Sequence, residues 1–372
     1  MNRKRLLDTF CELVAIDSPS LDERLMCEHL KKRLSGLGFE LYEDGAGESI
    51  GGACGNLYGW LDGDESLEPL LFSAHMDTVE PARGKRAVLH ADGSITSVGD
   101  TVLGADDASG IAAILEAVQS VRESGVRCGP IEVLFPVAEE LYGLGSSVFD
   151  YSRIRSREAY VLDLTGRVGN AANKAPTILG FTAAVTGKAA HAGFASADGV
   201  HAIAAAAAAI TRIPMGQVDD ETTCNIGMIE GGAASNIVPD RCIVKGEIRS
   251  YSHEKALARA EAVKRELEAA AKALGGGAEV DVVCHIKAYE TPAGHRVAAR
   301  LEAACKALGL PFALHPTFGG SDNNNFARHG ITGLVLSSAM EGCHSRDEHT
   351  SAEALESLAK LTAALMTGET GA

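Results

Sequence analysis

Apolar positions in this chain alternate between two textures along its length. Near the start they recur at helical spacing over 3–15 and 21–37, with Asp17-Ser18-Pro19-Ser20 breaking the pattern between them. Short apolar, β-favouring runs follow at 55–61, 69–75, 131–137 and 159–163, and an Ala/Ile/Leu-rich helix is predicted over about 107–122. Strands that alternate with helices predict an α/β layer, helices packed on a sheet.

Beyond Gly166 the order changes. A strand at 176–187 precedes an Ala-rich helix at 201–210, whose alanine run 204–209 is the sole low-complexity stretch. Strands at 222–230 and 241–250, a charged helix at 253–274 and a strand at 279–286 complete a βαββαβ order, the ferredoxin-like split pattern. The α/β texture then returns with helix 295–308, strands 312–316 and 331–337, and a terminal helix at 351–367. One domain is therefore expected inside another. The outer α/β domain takes 1–173 and 287–372, and the inserted α+β domain takes 174–286.

Composition narrows the classes. A chain of 372 residues with 46% hydrophobic and 23% charged residues reads as globular. A net charge of −16 without any Lys/Arg cluster argues against a nucleic-acid partner. The basic start Met1-Asn2-Arg3-Lys4-Arg5 could open a signal peptide, but Asp8 and Glu12 interrupt the apolar segment that would follow. No run reaches the ~18 apolar residues of a membrane span. The nine scattered Cys contain no C-x-x-C and read as reduced thiols of a cytoplasmic protein.

Candidate chemistry gathers where the apolar runs end. The run at 69–74 delivers His75 and Asp77, the run at 131–138 delivers Glu139-Glu140, the run at 160–162 delivers Asp163, and the run at 333–338 leads to His344. Asp106 follows the turn Leu103-Gly104-Ala105, just ahead of a helix. Ligands of open α/β sheets bind beyond the carboxyl ends of strands, so these groups can share one crevice. Two His, two Asp and one Glu suit a dinuclear zinc site, in which a carboxylate bridges ions ~3.5–4 Å apart. Asp77, on the same strand face as His75, can accept the second imidazole N–H and fix the tautomer. Glu139 and Glu140, on opposite sides of a strand or its exit, can divide proton transfer and metal holding. Each piece alone has an ordinary reading. Asp106-Asp107 could be an N-cap pair, and His344 or His349 a surface residue. Ordinary readings do not explain five such groups at element ends in one order. No G-x-x-x-x-G-K-[ST] occurs, and the Gly-rich stretches lack a strand–loop–helix context, which argues against nucleotide binding.

The segments SAHMDTV, LGADDASG, PVAEE, VLD and CHSRDE resemble the zinc metallopeptidases that include aminoacylases and glutamate carboxypeptidases. TVLGADDASGIAAILEA and FGGSDNNNFARHGI are most similar to the peptidase T-like, tripeptide aminopeptidase branch. The resemblance spans nearly the whole chain and implies an α/β catalytic domain carrying an inserted ferredoxin-like lid and dimerisation domain. It implies two Zn²⁺ ions, with Co²⁺ or Mn²⁺ as possible substitutes: one held by His75, Asp106 and Asp163, the other by Asp106, Glu140 and His344. It further implies a cis bond after Asp106, and Glu139 as general base. His344 rather than His349 fits the family's H-[ST]-x-x-E spacing, through Glu348. In the inserted domain, His191 and Asn236 match residues that bind the scissile carbonyl oxygen, often across a homodimer, and Arg249 matches one that binds a substrate carboxylate. Ala108 and Leu164-Thr165 depart from the common pattern. The implied substrate is a short peptide. Deacylation of N-acyl amino acids and an inactive metal-binding descendant stay open, as does the role of Cys343 beside His344.

Overall fold

The structure, a computed structural model, describes residues 1–368. The described residues divide into two compact units, one of Met1–Lys174, Glu290–Thr317 and the chain from Ser321 onward, the other of Ala175–Tyr289 with Phe318–Gly320.

The first unit is built on a mixed sheet. Strands Glu40–Glu43, Leu57–Leu61, Ile131–Phe135, Leu70–Ser73, Glu158–Thr165, Thr332–Met340 and Asn170–Ala175 lie side by side in that order. The central four, from Ile131–Phe135 to Thr332–Met340, run parallel, and the strands beside them are antiparallel. Every residue of Leu70–Ser73 and Ile131–Phe135 is buried, as expected of parallel strands covered on both faces. Neighbouring side chains show the alternation directly. Phe72 packs in a core with Leu6, Phe10, Ile111, Leu301 and Leu358 from the flanking helices, while Leu71 joins Leu134, Phe149, Val161 and Phe326 in a separate core.

Several elements go beyond the sequence expectation. Asn170–Ala175 has no β-branched residue, and its strand conformation comes from pairing with Thr332–Met340 and with Ala313–Pro316. Asp322–Arg328, whose Asp-Asn-Asn-Asn start favours loop, is a helix with that start fully buried and the Asn324 side chain accepting the Ser321 N–H at 3.1 Å.

The second unit has a five-stranded antiparallel sheet ordered Gly216–Asp219, Thr222–Gly231, Arg241–Ser250, Thr177–Thr186, Gly277–Ile286. Without the edge strand Gly216–Asp219 this is the ferredoxin-like arrangement. Helices Ala202–Ile210 and His253–Ala273 cover one face through a core that includes Phe181, Val185, Val244, Ile248, Val263 and Leu267. Among the described residues no helix is long and apolar enough to cross a membrane, and all nine cysteines are free thiols.

Candidate metal centre

The carboxyl ends of the four parallel strands lie along one edge of the sheet, and a candidate residue leaves from each. Leu70–Ser73 stops just before His75, Ile131–Phe135 leads to Glu139, Asp163 sits late in Glu158–Thr165, and His344 follows Thr332–Met340. Asp106 opens the helix Ala105–Ser124 behind Gly104, whose φ of 75° suits a residue without Cβ. The Asp106–Asp107 peptide is cis. Gly110 lets this helix approach its strand, because a Cβ there would lie 2.6 Å from the Leu162 carbonyl oxygen.

These elements bring five side chains together. His75 Nε2 lies 2.9 Å from Asp106 Oδ1 and 3.8 Å from Asp163 Oδ1. His344 Nε2 lies 3.3 Å from Asp106 Oδ2 and 2.9 Å from Glu140 Oε2. The donor atoms of His75, Asp106 and Asp163 lie within 4.8 Å of one another, and so do those of Asp106, Glu140 and His344. Asp106 belongs to both groups, one oxygen toward each imidazole. His349 is elsewhere, in the strand His349–Ser351, with Nδ1 2.9 Å from the Asp347 carbonyl oxygen. Neither group includes Cys343, whose thiol is raised by burial and then by the charges of Asp106 and Glu348.

The electrostatics fit a cation site. Burial raises the carboxyls of Glu139, Asp163 and Asp107 well above the ordinary range, and the charge of Asp163 adds to the effect on Glu139. Burial would lower the His75 imidazole, but hydrogen bonds with Asp106 and Asp77 outweigh it and hold it well above its usual value. Hydrogen bonds donated to Asp106 and Glu140 push His344 up to about 10. Asp106, Asp107, Glu139, Glu140 and Asp163 thus face only two imidazoles, and the excess negative charge draws protons onto them. Divalent cations offer the same compensation, and imidazole with carboxylate is a donor set that zinc accepts.

Around these groups the arrangement differs from the sequence expectation in two places. His75 and Asp77 lie beyond the strand end, and the nearest partner of His75 Nδ1 is the Asp77 carbonyl oxygen at 2.9 Å, with Oδ1 at 3.4 Å. A carbonyl can only accept, so Nδ1 carries the proton and Nε2 is left to face Asp106. Glu139 and Glu140 lie in the 3₁₀ turn Glu139–Leu141 rather than on a strand, so turn geometry and not strand alternation separates them. The Asp77 carboxylate accepts from Ser20 Oγ at 2.7 Å, Glu139 N–H at 2.9 Å and Glu140 N–H at 3.2 Å.

Glu348 serves a similar purpose, and the H-S-x-x-E spacing was its only sequence signal. Its buried carboxylate accepts the N–H of Gly104 at 2.7 Å and of Asp106 at 2.9 Å. Ser20 has no such signal, because its contact joins residues far apart in the chain.

The other three candidates lie in the second unit. Ala190–His191 pairs with Ile237–Val238, and the Ala192 N–H donates to the Asn236 carbonyl at 3.0 Å, so the two motifs sit on neighbouring strands. The exposed His191 ring stacks on Phe194 with centroids 3.8 Å apart. Arg249 is already engaged. Glu247 takes Nε at 2.8 Å and Nη2 at 3.1 Å, and the Phe318 carbonyl takes Nη1 at 2.7 Å.

Comparison with known proteins supplies the family. The family described as Peptidase dimerisation domain matches residues 174–275, and Peptidase family M28 matches residues 56–212. The crystal structure of aminopeptidase PepT from Bacillus cereus superposes with a TM-score of 0.92 at 37% identity, covering 99% of each chain. The chain belongs to the PepT peptidase family. A tripeptidase from Staphylococcus aureus superposes with a TM-score of 0.95 at 34% identity, covering 99% of this chain and 98% of that one. YqjE of Bacillus subtilis is 38% identical over 366 residues, 98% of each protein. As a PepT-family chain the protein is a peptidase, with a mixed α/β catalytic domain and a dimerisation domain. The family is one of metallopeptidases, and the two donor groups sharing Asp106 are candidates to hold a metal ion.

Proposed function

We propose that this protein is a dinuclear zinc aminopeptidase of short peptides, tripeptides foremost, working as a homodimer in the cytoplasm. The observation that carries the reading is Asp106, whose two carboxylate oxygens face His75 and His344 separately. His75, Asp106 and Asp163 would hold one ion, and Asp106, Glu140 and His344 the other. When bound, the two cations supply positive charge that acidifies water and polarises a carbonyl.

Glu139 takes the proton from the attacking water and returns it to the leaving amine. A carboxyl whose affinity for protons is raised by burial suits both halves of that transfer. Asp77 keeps His75 and the Glu139 backbone in place through the contacts given above. His191 and Asn236 donate hydrogen bonds to the developing oxyanion, and Arg249 takes a free substrate carboxylate. Identity of 34% with the Staphylococcus aureus tripeptidase over nearly the full length supports the choice of substrate.

A panel of tripeptides, dipeptides and N-acetyl amino acids, run after chelation with zinc, cobalt or manganese restored, tests this reading. Preference for tripeptides with a free amino terminus is expected. Hydrolysis of N-acetyl amino acids alone would replace it with a deacylase, and inactivity on every amide with every metal would remove it.

A further inference from the structure

The segment that separates the first two helices also reaches the turn that carries Glu139. Glu23 is a fully buried carboxylate, at 0% exposure. Its Oε1 accepts two main-chain N–H groups, from Leu21 at 2.8 Å and from Ala138 at 3.0 Å. Its Oε2 is buried and has no hydrogen-bond partner among the described residues. Both donors belong to non-glycine residues with left-handed backbones, Leu21 at φ 73° and Ala138 at φ 50°. That conformation is sterically unfavourable for an L-residue, so it persists only where surrounding contacts hold it.

Ala138 immediately precedes Glu139, and the left-handed step turns the chain out of the apolar run into the 3₁₀ turn. The same loop contributes Ser20 Oγ to Asp77 and the Ser18 carbonyl to the Thr78 N–H at 2.9 Å. Asp77 in turn holds the Glu139 N–H. The backbone on both sides of the Ala138–Glu139 bond is thus fixed by buried carboxylates, Glu23 before it and Asp77 after it.

We propose that Glu23 is a positioning residue for Glu139, holding Ala138 in the left-handed conformation that aims the Glu139 carboxylate. This rests on the reading of Glu139 as general base. Without the acceptor, Ala138 relaxes toward an ordinary backbone and carries the Glu139 side chain away from its station. The effect falls on turnover more than on metal affinity, because Ala138 directly precedes Glu139, whereas Glu140, one residue further along, keeps its own N–H bond to Asp77 and its side-chain bond with His344.

The test uses the full-length, metal-loaded enzyme with a tripeptide substrate. Glu23→Leu removes the acceptor, whereas Glu23→Gln keeps an Oε1 that accepts the same two N–H groups. Gln is a close mimic, since burial and the nearby charge of Asp77 push the Glu23 carboxyl up to about 7. Glu23→Leu is expected to lower kcat roughly 10–100-fold, the scale of a small misplacement, with KM and metal content near those of the parent. Glu23→Gln is expected to stay within about fivefold of the parent, as a neutral bond replacing a charge-assisted one. Adding Ala138→Gly to Glu23→Leu should recover part of the loss, because glycine adopts φ 50° without the steric cost.

If Glu23→Leu does not fold, Glu23→Asp gives the same reading, being too short to reach both donors. Parent-like kcat in the Leu variant, or in the Asp variant where Leu does not fold, would overturn the proposal. So would an equal loss in the Leu and Gln variants, or no recovery with Ala138→Gly. Glu139→Gln measured alongside separates the two claims. If that variant turns over normally, the general-base reading fails; if it is inactive while Glu23→Leu is not, only the positioning role fails.

Discussion

The main-chain N–H of Glu139 donates to the carboxylate of Asp77 at 2.9 Å, so the residue that orients His75 also fixes the backbone of the proposed base. Metal-facing and proton-moving groups therefore share one support. Replacing Glu139 with Gln leaves that support intact, because the bond uses the backbone. The variant is expected to keep its metal content while kcat falls roughly 10²–10⁴-fold. Steady-state kinetics beside metal analysis check this, and near-parent turnover would remove Glu139 from its role.

Glu348 touches no substrate in this scheme but accepts the N–H groups that place Asp106. Glu348→Ala leaves two buried donors without a partner, each costing about 1–3 kcal/mol. Metal affinity is expected to weaken roughly 10–100-fold, the usual scale for a residue that orients a ligand. Competition titration with a chromophoric chelator measures it. Unaltered affinity would mean that the Asp106 turn holds itself.

Chelation should abolish hydrolysis, with zinc, cobalt or manganese restoring it. The metal-free protein should also melt at lower temperature, since repulsion among Asp106, Asp163, Glu139 and Glu140 is then uncompensated. Scanning calorimetry before and after dialysis against a chelator checks the direction. An unchanged melting temperature would argue that the cluster does not need cations.

The Arg249 fork is held by Glu247, and a substrate carboxylate would have to compete for it. Arg249→Ala should lower kcat/KM for a free tripeptide by roughly 10–100-fold, as expected for loss of a charge-assisted contact. The corresponding tripeptide amide should be affected far less. Equal losses on both substrates would return Arg249 to a structural ion pair.

Lys85 is 2% exposed, its ammonium donating to the carbonyls of Ile16 and Ala82, and burial lowers it from 10.5 to about 8. The unfolded chain therefore binds more protons than the folded one between pH 8 and 10.5. This residue's contribution to stability rises with pH through that window. Below pH 8 both states are protonated, and the full cost of roughly 3 kcal/mol is present. Lys85→Met should show its most favourable stability relative to the parent near pH 7, with the advantage shrinking toward pH 10. Parallel pH profiles of melting temperature would contradict this.

Much of the centre was legible because its residues leave apolar runs in fixed order. His75, Asp106, Glu140, Asp163 and His344 all stand at or near the ends of recognisable elements, and the structure groups them around Asp106. Their supports were harder to read. Glu348 carries one spacing signal, Ser20 none, and Glu23 lies unmarked inside the span 21–37 that reads as a helix. Their partners are main-chain N–H groups or side chains distant in sequence, and a hydrogen bond of that kind leaves no periodicity behind.

The sequence by itself determined the layered architecture and singled out the candidate donors, because side-chain period and residue chemistry are local properties. It also determined the ferredoxin-like order of the inserted unit, since each strand and helix there carries its own apolar pattern. Only the tertiary structure decided that Asn170–Ala175 is a strand and that Glu139 and Glu140 sit in a turn. The same holds for the carboxylate of Glu23, which holds the left-handed Ala138 from across the chain. Those outcomes depend on which backbone groups meet in space, and that is set by packing rather than by neighbours in sequence.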